Sequence, residues 1–152
     1  MRRAPQVTVA VVGGSLIAAG PMLATWFSGH RDSDPLGVIA FGSILLSSFF
    51  VGFQLRGLPH WLTWVSASLA WVALSTTAWV LSAPAAPLSR VALNQLLTVA
   101  TLGVLSLRPE HGLAFPHLPY VWLLAILPAR LAQEFFEGWL GPERPGKAAE
   151  AK

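Results

Sequence analysis

Long apolar stretches separated by short polar turns make up most of this chain. Four of these stretches cover residues 7–27, 36–55, 61–82 and 91–107, and none contains a Lys, Arg, Asp or Glu. A helix rises 1.5 Å per residue, so about 20 helical residues cross the roughly 30 Å hydrocarbon core of a bilayer. The pattern therefore predicts four transmembrane helices, of which the fourth is the shortest.

A fifth segment, residues 120–140, combines two patterns. It begins with eight apolar residues, YVWLLAIL, and then places Arg130, Gln133, Glu134 and Glu137 on one arc of about 100°. This predicts a helix that is amphipathic or half-buried in the membrane. The alternative is a fifth span, which would bury Arg130 and Glu134 at a depth where ionised side chains are costly. We favour four spans plus a membrane-associated helix.

The two ends of the chain call for separate interpretations. Residues 141–152 (GPERPGKAAEAK) predict a disordered cytoplasmic tail, which leaves residues 1–140 as a single transmembrane domain. At the other end, Arg2 and Arg3 before an apolar run are also typical of a cleaved signal peptide. The run continues past any cleavage site near residues 18–20, which favours an uncleaved span.

Composition supports lipid as the surrounding solvent. Apolar residues make up 54% of the chain and charged residues only 11%, whereas soluble domains carry about 25% charged residues. We therefore predict an all-α integral membrane bundle. The chain contains no cysteine, which excludes disulfides, thiol catalysis and Cys-ligated metal centres. No nucleic-acid-binding motif accompanies the net charge of +3.

The distribution of basic residues predicts the orientation of the chain. Lys and Arg are enriched in cytoplasmic loops. With a cytoplasmic N-terminus and four spans, two cations lie outside, Arg31 and Arg90. Eight lie inside: Arg2, Arg3, Arg56, Arg108, Arg130, Arg144, Lys147 and Lys152. We therefore expect both termini in the cytoplasm and the protein in the plasma (inner) membrane. A fifth span would remove most of this asymmetry.

Several polar residues inside the predicted spans are candidates for helix packing. In the fourth span Asn94, Thr98 and Thr101 share one helical face, and Gln95 lies beside them. In the second span Ser43 and Ser47 form a pair of small residues four apart, which lets helices approach closely. The alternative interpretation of the fourth-span face is a polar lining for a ligand or pore.

The charged residues of segment 120–140 form a second candidate cluster. Arg130, Glu134 and Glu137 are the clustered charges closest to the predicted membrane. They fit the solvated face of an interfacial helix. If the segment instead spans the membrane, they become an embedded ion-pair cluster, which usually marks a functional site.

Catalytic and cofactor motifs are missing from the sequence. None of the four histidines (His30, His60, His111 and His117) lies in a predicted span, so an interhelical haem has no ligands there. No phosphate-binding loop, GxSxG, HExxH or dinucleotide fingerprint occurs. We therefore predict no catalytic residue, no cofactor and no metal.

These patterns favour a non-enzymatic accessory or structural subunit of a membrane complex, or of a homo-oligomer. Its partners would be membrane lipids and other membrane proteins or further copies of itself, and no nucleic acid. The alternative is a small transporter or channel for a neutral or amphipathic solute, lined by Asn94, Thr98 and Thr101. A third hypothesis is a lipid- or quinone-linked enzyme that uses Asp32, Asp34 or the Arg130–Glu134 face.

Overall fold

The protein is predominantly helical. The computed structural model describes residues 3–29, 33–82, 88–100, 106–108, 112–114 and 122–141. The predicted tail therefore lies outside the described residues, apart from Gly141. The helices are α1 (Arg3–Phe27), α2 (Ser33–Gln54), α3 (His60–Ser82), α4 (Leu88–Ala100), a π-helix (Trp122–Ile126) and α5 (Leu127–Leu140). Strands β1 (Ser106–Arg108) and β2 (Gly112–Ala114) form an antiparallel pair.

The first three helices follow the predicted apolar stretches closely, and they end at polar, glycine-containing or proline-rich sequence. The turn after α1 uses Gly29, whose φ of 92° is favourable only for glycine, and its N–H donates to the Trp26 carbonyl at 3.1 Å. The turn between α2 and α3, residues 55–59, likewise contains Gly57 at φ 75°. Long apolar helices linked by glycine turns therefore form the framework.

The fourth helix differs from its predicted extent. The apolar stretch predicts a helix to Leu107, but α4 has 13 residues and ends at Ala100. Ser106 and Leu107 lie instead in β1, where Leu107 is opposite Leu113 of β2. An apolar run is compatible with either a strand or a helix, so hydropathy alone cannot locate this change.

The core lies where α1, α2 and α3 meet. Small and medium residues spaced by four line the inner face of α1: Ala10, Gly14, Ala18 and Met22. They face Val51 and its neighbours on α2 and the buried residues Ala67, Ala70 and Leu74 of α3. Small side chains at these positions bring the helix backbones close together.

Two described helices are long and apolar enough to cross a membrane. These stretches are Ala4–Phe27 in α1 and Leu36–Gln54 in α2. Four spans are therefore not confirmed by the fold, and two candidate spans are what length and composition support.

Candidate functional site: the seam between α2 and the C-terminal helix

Helix α2 has two packing faces, each marked by small residues spaced by four. One face contains Ser43, Ser47 and Val51 and is turned toward α1, where Ser47 and Val51 meet Gly14. The other contains Ser48 and Gly52 and meets the C-terminal helix, the name used below for residues 122–140. The predicted pair Ser43 and Ser47 is thus buried within the chain.

The seam between α1 and α2 is closest at Gly14. The Ser47 Oγ donates to the Gly14 carbonyl at 2.7 Å. A Cβ placed on Gly14 would lie 2.7 Å from Cγ2 of Val51. The absence of a side chain at Gly14 therefore lets the two helices touch and lets the serine reach the backbone.

The seam between α2 and the C-terminal helix is tighter still at Gly52. A Cβ there would collide with the Ala129 carbonyl oxygen and lie 2.8 Å from both the Ala132 Cβ and the Gln133 backbone nitrogen. Two of these three obstacles are backbone atoms, which cannot move aside without shifting the whole helix. Gly52 therefore determines how closely the C-terminal helix approaches.

Near the start of the C-terminal helix, the seam contains a hydrogen bond from α2 to the π-helix. Pro128 has no N–H and cannot donate the usual helical bond to the Leu124 carbonyl. The Ser48 hydroxyl lies 3.2 Å from that carbonyl and 2.7 Å from the Ile44 carbonyl of its own helix, so its single proton is shared between these two acceptors. A π-helical turn followed by a proline is thus stabilised by a hydroxyl from α2.

The lower part of the seam is centred on Gln133, which is fully buried. Its Nε2 donates to the carbonyls of Leu55 and Leu58, at 2.9 and 2.8 Å. Its Oε1 accepts from the Thr63 hydroxyl at 2.7 Å. One amide therefore joins the C-terminal helix to the end of α2, the turn and the start of α3, and both its N–H groups have acceptors.

The predicted charged cluster lies around this amide. Arg130 and Glu134 form an ion pair at 2.7 Å, with their side chains 20% and 57% exposed. Glu137 accepts from the Gly57 backbone N–H at 2.8 Å, so it binds the turn. Apolar contacts flank these bonds: the Phe53 and Phe136 rings meet edge to face, their centroids 5.1 Å apart. The three predicted residues therefore lie where the C-terminal helix passes the α2–α3 turn.

The polar face of α4 is placed against α3. The Ser75 hydroxyl donates to the Gln95 Oε1 at 3.1 Å, and Asn94 is buried nearby on the same helix. Thr98 belongs to α4, but its side chain, like the whole of Thr101, lies outside the described residues. The structure thus brings Gln95 into a helix–helix contact.

Three buried polar atoms in the described part of the chain have no hydrogen-bond partner. They are the Ser66 Oγ, the Ser68 Oγ and the Gln95 Nε2. Such atoms normally find partners because desolvating an unpaired polar group is costly. They therefore add polarity to the inner faces of α3 and α4 beyond what the helix contacts use.

The sequence pattern does not single out Gln133, whose side chain makes three hydrogen bonds in this seam. It groups Gln133 with the charged face of the C-terminal helix, although Gln133 is fully buried. The sequence feature that could have identified Gln133 is a pair of alanines, Ala129 and Ala132, which lie four residues and one residue before it. Small residues beside a polar one are typical of a close helix–helix contact.

Comparisons of the chain with models of protein families, with curated proteins and with solved structures find no match.

Proposed function

We propose that this chain is an integral membrane protein of the plasma (inner) membrane whose helical bundle crosses the bilayer four times. The supporting observation is the distribution of apolar side chains on α1 and α2. Only 28% of the apolar stretch of α1 and 33% of that of α2 are buried in the bundle. Large side chains such as Leu16 (67% exposed) and Leu46 (62% exposed) point outward. A core helix of a soluble protein would be mostly buried, whereas lipid is a suitable solvent for these faces.

The proposed orientation has both termini in the cytoplasm. This follows from the predicted charge asymmetry, with Arg56 in the turn on the cytoplasmic side and Arg90 at the outer end of α4. In the proposed arrangement α1, α2 and α3, which have 22 to 25 residues each, make the first three crossings. Helix α4 belongs to the fourth.

We propose further that the protein is a non-enzymatic accessory or structural subunit of a membrane complex or homo-oligomer. The polar groups in the described interior are largely engaged in joining helices: Ser47 to α1, Ser48 to the C-terminal helix, and Gln133 to the α2–α3 turn. Groups used in this way are satisfied and inert. The outward faces of α1 and α2 are apolar and are suited to lipid or to other membrane helices.

The test is to isolate the tagged chain from its native membrane in a mild detergent and identify stoichiometric companions. We expect other membrane proteins, or further copies of this chain, in fixed ratio. Leu16→Ala and Leu46→Ala, on two different exposed faces, then locate the interface, because only the substitution within it should release the companion. A chain that is extracted as a monomer without stoichiometric companions would contradict the proposal.

The alternative function, a small transporter or channel for a neutral or amphipathic solute, is favoured by one observation. The Gln95 Nε2 is buried and has no hydrogen-bond partner, on the helix that also contains Asn94 and Thr98. Flux into vesicles containing the purified protein tests this function. Thr98→Val and Gln95→Leu should reduce a real flux, whereas the exposed control Leu93→Ala should not. Absence of flux for a panel of such solutes would dismiss it.

A further inference from the structure

Two adjacent serines of α2 place the start of the C-terminal helix near the middle of the bundle. Ser47 donates to Gly14, which lies near the middle of the 24-residue apolar stretch of α1. Ser48, the next residue, donates to Leu124 in the π-helix. Since neighbouring residues of a helix differ by 1.5 Å in height, Leu124 lies at nearly the same depth as Gly14.

Ala100, the last described residue of α4, lies at the same depth. Gln95 accepts from Ser75, so these residues of two antiparallel helices are level. Five residues further on, Ala100 is level with Ala70 of α3. A Cβ on Gly14 would lie 3.8 Å from the Ala70 Cβ, so this is again the depth of Gly14. Ala100 and Leu124 thus lie at similar depths, near the middle of the bundle.

The other end of the C-terminal helix lies at the α2–α3 turn. Gln133 binds Leu55 and Leu58, and Glu137 binds Gly57. From Leu124 to Glu137 a helix rises about 20 Å. Half of a hydrocarbon core is about 15 Å. The helix is therefore long enough to run from the middle of a bilayer to its surface and slightly beyond, and too short to cross the whole core from that starting point.

The side of this helix turned away from the bundle exposes one large apolar side chain every four residues: Leu123, Leu127, Leu131, Phe135 and Trp139. The exposed fraction is 54% at Leu123 and 71% at Trp139. Arg130 lies near the middle of the helix and is paired with the exposed Glu134, one turn closer to the exit end. A long arginine side chain can extend toward the surface while its stem stays in apolar surroundings.

The geometry points to a half-depth helix: the C-terminal helix, residues 122–140, runs from the bilayer middle to the cytoplasmic surface and packs its outer face against the acyl chains of that leaflet. This inference rests on the proposed membrane location and differs from the two arrangements predicted from sequence. A helix lying flat at the interface would place Leu123 and Trp139, the two ends of this row, at similar depth, because the row turns about the axis by only about 40° per step. A fifth span would be deepest at its centre and shallow at both ends.

The depth of each exposed position distinguishes these three arrangements. The chain contains no cysteine, so single cysteines can be introduced without removing others. Each of Leu123, Leu127, Leu131, Phe135 and Trp139 is replaced by Cys, spin-labelled, and reconstituted in vesicles of phosphatidylcholine and phosphatidylglycerol. The ratio of oxygen to nickel-chelate collision rates then gives the depth of each label. We expect a steady decrease from Leu123 to Trp139, by up to about 6 Å at each four-residue step.

Helix α1 provides an internal ruler for the same measurement. Ala4, Leu16 and Phe27 are all exposed and lie at the start, middle and end of its apolar stretch. In a spanning helix Leu16→Cys should be deep and the other two shallow, and Leu123→Cys should match Leu16→Cys. Labels on exposed positions leave the packed seam intact, which unchanged thermal unfolding of each variant verifies.

The outcomes separate failure of this inference from failure of the proposed function. If all α1 labels are fully open to the water-soluble nickel chelate, the membrane proposal fails and the half-depth helix fails with it. If the α1 ruler is as expected but the Leu123 and Trp139 labels lie at similar depth, or the row is deepest at Leu131, only the half-depth helix is overturned. A steady decrease from Leu123 supports it.

Discussion

The two seams of α2 hold their partners in different ways. Toward α1, two long apolar helices meet along small residues and share one hydrogen bond between side chain and backbone, from Ser47 to Gly14. Toward the C-terminal helix, four such bonds involve the side chains of Ser48, Gln133 and Glu137, and a fifth hydrogen bond joins the side chains of Thr63 and Gln133. The second partner is shorter and carries charges. Apolar packing alone does not hold this shorter, charged helix in place. The C-terminal helix therefore depends on hydrogen bonds.

The largest effect should follow from removing the Gln133 amide. Gln133→Leu leaves the carbonyls of Leu55 and Leu58 and the hydroxyl of Thr63 without this partner. Unsatisfied buried groups cost about 1–3 kcal/mol each in water-soluble proteins, so we expect a loss of about 3 kcal/mol in the free energy of unfolding. Denaturant titration in detergent measures it. The neighbouring control Glu134→Leu, at an exposed position, should lose far less, and equal losses would contradict the assigned role of Gln133.

The next effect tests backbone proximity by adding one methyl group. Gly52→Ala should destabilise the protein by about 2 kcal/mol, because the new Cβ meets backbone atoms of the C-terminal helix. Gly14→Ala should cost about 1 kcal/mol or less, since the Val51 side chain can adjust. Gly42→Ala on the same helix α2 has no neighbour within 4 Å and should be neutral or stabilising. Thermal unfolding of the three variants gives the order of their losses in stability. The smallest loss in Gly52→Ala would refute the tight seam.

A smaller difference should separate two neighbouring serines. Ser48→Ala removes a donor from the Leu124 carbonyl, which Pro128 cannot serve, and should cost about 1 kcal/mol. Ser47→Ala removes a bond to a Gly14 carbonyl within an unbroken helix and should cost about 0.6 kcal/mol. Limited proteolysis should show faster release of the C-terminal helix in Ser48→Ala only. The same cleavage pattern in both variants would mean that the serine does not hold this helix.

The smallest effect concerns the ion pair on the C-terminal helix. Arg130 and Glu134 form an i,i+4 pair whose glutamate is more than half exposed, so solvent and salt screen it. Glu134→Gln should change stability by no more than about 0.5 kcal/mol. Unfolding measured at low and high salt should differ little between this variant and the parent. A large, salt-dependent loss would indicate that the pair lies at greater depth than its exposure suggests.

Local sequence patterns account for α1, α2 and α3 because apolar length and polar turns act over neighbouring residues. The predicted stretches 7–27, 36–55 and 61–82 lie within a few residues of Arg3–Phe27, Ser33–Gln54 and His60–Ser82. The same reasoning overextends α4, because the apolar residues after Ala100 are equally compatible with the strand that pairs Leu107 with Leu113. That pairing joins residues six positions apart in a short hairpin, and hydropathy alone does not encode it.

The candidate residues also divide into those that the sequence identifies and those whose partners only the folded chain shows. Ser43 and Ser47 are recognisable in advance, since small residues four apart predict close packing whichever partner they meet. Arg130, Glu134 and Glu137 are recognisable as a charged arc. Only the folded chain reveals that Glu137 binds the Gly57 N–H, because the two residues are 80 positions apart.

By itself, the sequence of this protein determined that its helices are long, apolar and interrupted by charged or glycine turns, since these are properties of neighbouring residues. The tertiary structure alone decided that Gln133 is fully buried and that the C-terminal helix packs directly on Gly52. It also decided that Leu124 of this helix lies level with Gly14. The physical reason is that close packing and hydrogen-bond satisfaction depend on partners 70 or more residues away, which no local pattern specifies.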